Sequence, residues 1–64
     1  MRLTEFWERM DEHLGATYAT SFASDHVITE LDGLTVEQAL EAGVETKQVW
    51  RAVVSAANLP ESAR

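Results

Sequence analysis

Cysteine is absent from the 64-residue sequence, and this absence removes several classes of protein at once. A disulfide framework, a cysteine-based zinc site and an iron–sulfur cluster are all excluded. Because small secreted domains usually need disulfides, we expect a reducing compartment, the cytoplasm. No apolar run approaches the roughly 20 residues of a membrane-spanning helix, and the N-terminal segment has no apolar signal core. The sequence therefore predicts a soluble cytoplasmic protein with no membrane partner.

Proline occurs only at Pro60, and runs of alternating apolar and polar residues between hairpin turns are also missing. The apolar residues instead recur at spacings of three and four, which is typical of helices. We predict four helices, at about residues 4–14, 16–31, 36–42 and 47–57. The fold class is all-α: one compact three- to four-helix domain over residues 1–59, with a flexible C-terminal tail over residues 60–64.

Residues with capping chemistry stand at the predicted helix ends: Thr4, Gly15, Thr35 with Gln38, and Thr46. The pair at 35 and 38 has the spacing of a capping box, and a glycine is the usual left-handed stop. The largest apolar side chains are predicted to meet at one centre. We expect helices 1, 2 and 4 to pack around Trp7, Phe22 and Trp50, with helix 3 as a lid.

The last two helices have the pattern of a helix-turn-helix corner. Ala39 supplies the small residue of the first helix, Gly43 the turn, and Val49 the branched apolar residue of the second helix. Any tight corner between two helices needs the same three residues. The pattern therefore predicts a helix-turn-helix-like corner, and nucleic-acid binding is one of two functions that such a corner could serve.

Basic charge is scarce, and it is unevenly distributed. Residues 1–45 carry ten acids and two bases, whereas the predicted last helix carries two bases and no acid. Two cations neutralise few phosphates, and the apolar stripe of this helix turns Trp50 inward. We therefore favour docking of a partner protein, with nucleic-acid binding through the basic face as the alternative. The candidate interaction surface consists of Lys47, Gln48, Arg51 and Ser55.

Groups able to carry chemistry are few. The two histidines, His13 and His26, stand near carboxylates at spacings that match no recognised metal-ligand motif. We interpret His26 as a partly buried histidine, bonded to Glu30 or stacked near Phe22. The serines lack a nucleophile elbow, and the three glycines stand singly rather than in a phosphate-binding loop. We expect no enzymatic activity, no bound metal and no cofactor.

Several strings resemble domain of unknown function 3046, a family of short actinobacterial proteins: residues 1–10, 25–27, 39–40 with 43, and 49–53. The resemblance extends to about residue 60. It implies an actinobacterial cytoplasmic protein whose gene lies near those of the recombinase RecA and its regulator RecX, and hence a link to DNA recombination or repair. It implies no activity and no functional residues. The predicted function is that of a small accessory protein-interaction module.

Overall fold

Four α-helices follow one another in the computed structural model, which describes residues 1–60 and residue 63. The helices are α1 (Leu3–Leu14), α2 (Ala16–Asp25), α3 (Val36–Glu41) and α4 (Thr46–Ala56). A short 3-10 helix, Thr29–Leu31, lies between α2 and α3. Over the described residues the only β-type pairing is one isolated bridge between residues 28 and 34. The predicted all-α fold with four helices is confirmed.

The first helix begins earlier than predicted, and this removes its predicted cap. The N–H of Phe6 donates to the carbonyl of Arg2 at 2.9 Å, so that α1 starts at Leu3. Thr4 lies inside the first turn, and no side chain caps the helix. At the other end Gly15 adopts a φ of 84°, which gives the stop that was predicted there.

The second helix is shorter than predicted, since it ends at Asp25 and not at residue 31. The chain then runs extended, and one backbone bond joins Ile28 to Leu34: the Ile28 N–H donates to the Leu34 carbonyl at 3.0 Å. This extended course buries Ile28, whereas Val27 beside it is 60% exposed. Hydroxyls within α2 also bond backward to helix carbonyls, as Thr20 does to Ala16 at 3.1 Å. Such bonds slightly destabilise a helix, which agrees with the low helix propensity of this segment.

The third helix is a structural member of the bundle, and the prediction that it forms a lid is wrong. α3 packs against both α2 and α4, and its Val36 and Ala39 are fully buried. The predicted capping box is confirmed. Gln38 N–H donates to the Thr35 hydroxyl at 3.2 Å, and the Thr35 N–H donates to the Gln38 side-chain oxygen at 3.0 Å.

The helices form a closed ring in which each packs against the next, and α4 returns to α1. The centre of this ring differs from the predicted one. Phe6 is fully buried and meets Trp50 edge to face, with ring centroids 6.1 Å apart. Trp7, which was predicted at the centre, is only half-buried and packs on the edge of Phe6. Phe22 is buried as predicted.

The two ends of α4 differ: its first residue bonds to the N-terminus of the chain, and its last turn is closed by local bonds. The predicted cap, Thr46, is the first residue of the helix, and its hydroxyl donates instead to the carbonyl of Met1. At the far end Asn58 adopts a left-handed φ of 56°, and the Leu59 N–H donates to the Val54 carbonyl at 2.9 Å. These bonds make a Schellman motif, which is the stop predicted at this point.

The flexible tail predicted over residues 60–64 falls partly on Glu61, Ser62 and Arg64, which lie outside the described residues. Ala63 is described, and it is buried. Its N–H donates to the Pro60 carbonyl at 2.9 Å, and its own carbonyl accepts from the Trp50 indole. At Ala63, therefore, the chain is part of the interior.

Candidate functional site

The inner side of α4 forms the floor beneath the candidate surface. Val49, Trp50 and Val53 are buried, and only 1% of Trp50 is exposed. The indole N–H donates to the Ala63 carbonyl at 2.8 Å, and the ring lies 5.7 Å from the imidazole of His13. Because the ring is buried and its N–H is hydrogen-bonded, turning it outward would remove many contacts. The prediction that Trp50 faces the interior is confirmed.

The outer side of α4 carries the four residues predicted as an interaction surface. Lys47, Gln48, Arg51 and Ser55 are all exposed. Residues 47, 51 and 55 follow one another at intervals of four, so they form a row along the helix. The structure nevertheless separates the four into two groups, since Arg51 stands between two different depressions.

Lys47 and Arg51 line an open cleft of about 510 Å³ between α1 and α4. The opposite wall is formed by Glu5 and Arg9, which are one turn apart on α1, and Trp50 lies at the floor. Met1 closes one end, where its carbonyl accepts from the hydroxyl of Thr46. The cleft therefore gathers three of the five basic side chains of the chain together with one acid.

Arg9 lines the cleft although it is not part of the surface predicted from the sequence. It is half-buried on α1, far in sequence from Lys47 and Arg51. The spacing between Glu5 and Arg9 shows that the two share one side of α1. Only the packing of α1 against α4 shows that this side faces Lys47 and Arg51, and no sequence pattern specifies that packing.

Gln48 and Ser55 belong to a second, shallower depression of about 290 Å³ on the other side of Arg51, which Glu30 also lines. The Ser55 hydroxyl donates to the Glu30 carboxylate at 2.5 Å. This bond lowers the pKa of Glu30, and a bond from the backbone N–H of Glu30 itself adds to the effect, against a small opposing contribution of burial. Ser55 is thus engaged within the protein and ties α4 to the 3-10 helix.

The corner between α3 and α4 contains the three residues of the predicted helix-turn-helix pattern. Ala39 and Val49 are fully buried, and Gly43 has a φ of 88°. The Val44 N–H donates to the Ala39 carbonyl at 3.0 Å, which makes a second Schellman motif. These features belong to any tight corner of two helices, so they describe the turn and not a ligand.

Neither histidine lines the cleft between α1 and α4. His26 is exposed, so its predicted partial burial is wrong, but it stacks on Phe22 as proposed, with centroids 4.6 Å apart. Within residues 1–60 and 63, no three side chains of histidine, aspartate or glutamate come together in a group able to hold a metal ion. Among the same residues, no helix has the length and apolar character needed to cross a membrane.

The likeness predicted from the sequence strings is confirmed by a family model. The model of the protein of unknown function DUF3046 matches residues 1–62. No curated protein and no solved structure matches the chain. Since the match covers nearly every residue from which the helices and the cleft are built, the chain belongs to the DUF3046 family of proteins of unknown function.

Proposed function

We propose that this protein is a non-enzymatic cytoplasmic interaction module that docks a partner protein on the basic side of α4. The supporting observation is the gathering of Lys47 and Arg51 with Arg9 in one cleft, on a chain whose net charge is −6. Beneath the cleft lies a fixed floor, because Trp50 is buried and hydrogen-bonded. A rigid floor under a few cations suits recognition, since little ordering is needed when the partner binds.

A link of this module to DNA recombination or repair is the finer part of the proposal. It rests on the gene neighbourhood that the family resemblance implies, beside the recombinase RecA and its regulator RecX in actinobacteria. An accessory protein in that setting acts by binding a component of the machinery. The partner is then expected among recombination or repair proteins.

The test is affinity capture from a native actinobacterial lysate. Because the chain has no cysteine, a Thr17→Cys variant offers one attachment point on an exposed position of α2, away from the cleft. The bait is compared with the same bait carrying Lys47→Glu and Arg51→Glu, and with Arg2→Glu as a single charge reversal outside the cleft. We expect partners that the double variant loses and the Arg2 variant keeps. Equal capture by all three baits contradicts the proposal.

Nucleic-acid binding through the same helix is the second candidate function. It is favoured by one observation, that the cleft adds Arg9 to the two cations of α4. Opposed to it are the acidic remainder of the chain and the burial of Trp50. A gel-shift titration at two salt concentrations distinguishes the candidates. Binding at low salt that Arg51→Glu abolishes supports nucleic acid, and an absence of binding at micromolar protein removes it.

A further inference from the structure

We infer that the cleft between α1 and α4 binds a short carboxylate-bearing segment of the partner protein, held by Arg9 of α1 together with Lys47 and Arg51 of α4. The inference rests on the proposed function and names the chemistry of the partner at that site. The partner is then held between two helices and not along α4 alone, and Arg9, which is outside the predicted surface, takes part.

The position of the cations supports a carboxylate ligand. Arg9 and Arg51 approach the cleft from opposite helices, and Lys47 lies one turn from Arg51. A guanidinium presents a planar fork that matches a carboxylate, and two forks facing one space can hold two acids or clamp one. Arg9 is half-buried, so its stem is already partly ordered and less freedom is lost when a ligand binds.

The charge around the cleft limits the length of the ligand. The four charged side chains of the cleft carry a net charge of +2. Because the net charge of the whole chain is −6, the remaining residues carry −8. A long polyanion leaving the cleft would run over this acidic surface and be repelled. A short segment with one or two carboxylates stays inside. The volume of about 510 Å³ lies within the range of sites that hold small ligands or a few side chains.

Glu5 refines the chemistry further. It is half-buried on the same wall as Arg9 and repels any anion next to it. An ionised carboxylate only accepts hydrogen bonds, so it suits a backbone N–H or an amine of the ligand. The sugar–phosphate backbone of DNA offers phosphates at regular spacing and no hydrogen-bond donor. A peptide that alternates carboxylates with N–H groups suits both the three cations and Glu5, and the geometry favours it over DNA.

The experiment is a titration of the whole chain, labelled with nitrogen-15, followed by NMR. The probe is an acetylated and amidated peptide of about eight residues in which glutamate alternates with serine, and its matched control has glutamine at each glutamate. A thymidine oligonucleotide of equal charge is the second ligand. We expect the acidic peptide to shift the amides of Glu5, Arg9 and Arg51 and the indole N–H of Trp50, and the glutamine peptide to bind at least about tenfold more weakly.

Variants then assign the contacts. Arg9→Gln and Arg51→Gln should each weaken the peptide about threefold to fivefold, as exposed ion pairs do, whereas Arg2→Gln should change the affinity less than about twofold. Amide spectra of each variant report whether the fold is kept. Loss of the peptide in Arg51→Gln with no change in Arg9→Gln overturns the two-helix cleft. Stronger binding of the oligonucleotide than of the peptide overturns the carboxylate ligand.

Failure here and failure of the proposed function have different signatures. If the peptide shifts no cleft resonance at millimolar concentration while the Lys47→Glu and Arg51→Glu bait still loses its partners, the inference is wrong and the docking surface on α4 remains. If the peptide binds but all baits capture the same proteins, the cleft binds carboxylates and the proposed function is wrong.

Discussion

The two halves of the bundle are held in place by different means. From Thr35 to Leu59 three of the four helix ends are fixed by local bonds, with a capping box at the start of α3 and Schellman motifs after α3 and α4. From Leu3 to Asp25 no side chain caps either helix, and the single residue Gly15 joins them. The second half is thus encoded largely by neighbours in sequence, whereas α1 and α2 depend on what they pack against.

Removing the Trp50 side chain, which joins the two halves, should reduce the stability of the protein more than any other change considered. Trp50→Ala deletes a buried indole that meets Phe6 of α1 and should cost about 3–5 kcal/mol of unfolding free energy. That is most of the stability of a domain this small, so we expect loss of the cooperative urea transition seen by circular dichroism. Tyr18→Ala, at a ring that is 56% exposed, should change the free energy by less than about 0.5 kcal/mol. A cooperative transition of Trp50→Ala at the parent midpoint contradicts the packing described here.

In the first half, Gly15 ends α1 and directly precedes α2. Replacing it allows a direct comparison with Gly43 in the second half. Gly15 has φ 84° and ψ 140°, close to a region that only glycine occupies readily, so Gly15→Ala should cost about 1–3 kcal/mol. Gly43→Ala, at a φ of 88° in a Schellman motif, should cost about 1–2 kcal/mol. A Cβ at either position meets no heavy atom within 4 Å beyond its own residue and its two chain neighbours, so backbone strain sets both values. Urea midpoints that place Gly43→Ala clearly below Gly15→Ala would reverse this order.

The caps give a smaller and more direct contrast between the halves. Thr35→Ala removes the hydroxyl that accepts from the Gln38 N–H and should cost about 1 kcal/mol. Thr4→Ala is the matched control in the first half, because Thr4 lies inside the first turn and its hydroxyl caps nothing. We expect it to change the unfolding free energy by less than about 0.5 kcal/mol. Equal losses in the two variants, measured by urea unfolding, would show that the division drawn between the halves is wrong.

The smallest expected effect concerns the bond from α4 to the 3-10 helix. Ser55→Ala removes the donor that lowers the pKa of Glu30, so this pKa should rise toward its ordinary value. A carboxyl whose pKa is lower in the folded state stabilises the fold above its unfolded pKa and loses that contribution as the pH falls through its folded pKa. The parent should therefore lose slightly more stability than the variant in this acidic window. A carboxyl titration by NMR that gives Glu30 the same pKa in both proteins counts against the bond.

The division between the halves also explains what the sequence could predict. Thr35, Gln38, Gly43 and Asn58 act on residues within one turn, and their roles were predictable from spacing alone. The end of α2 was not, because the apolar residues that follow it satisfy a helical spacing as well as an extended one. In the structure this segment is extended, with a bridge from residue 28 to residue 34 and with Ile28 buried, and the apolar spacing alone does not specify that course.

The candidate site follows the same rule. Lys47 and Arg51 share one helix, and helical periodicity alone assigned them to one exposed face. Arg9 reaches them only through the contact of α1 with α4, which is a property of the ring of helices and not of any segment. Ser55 was assigned to the same face, but its hydroxyl is bound to Glu30, a partner 25 residues away in sequence.

The hydrogen bond between the Trp50 indole and the Ala63 carbonyl has a consequence for shortened versions of the chain. A version shortened after Leu59 keeps every helix, yet it leaves an indole N–H in the interior with no acceptor, at a cost of about 1–3 kcal/mol. Truncations for expression or for fusion should therefore retain the chain through Ala63. In a Trp7→Phe variant, where Trp50 is the one remaining tryptophan, its fluorescence would report whether the bond to Ala63 is kept.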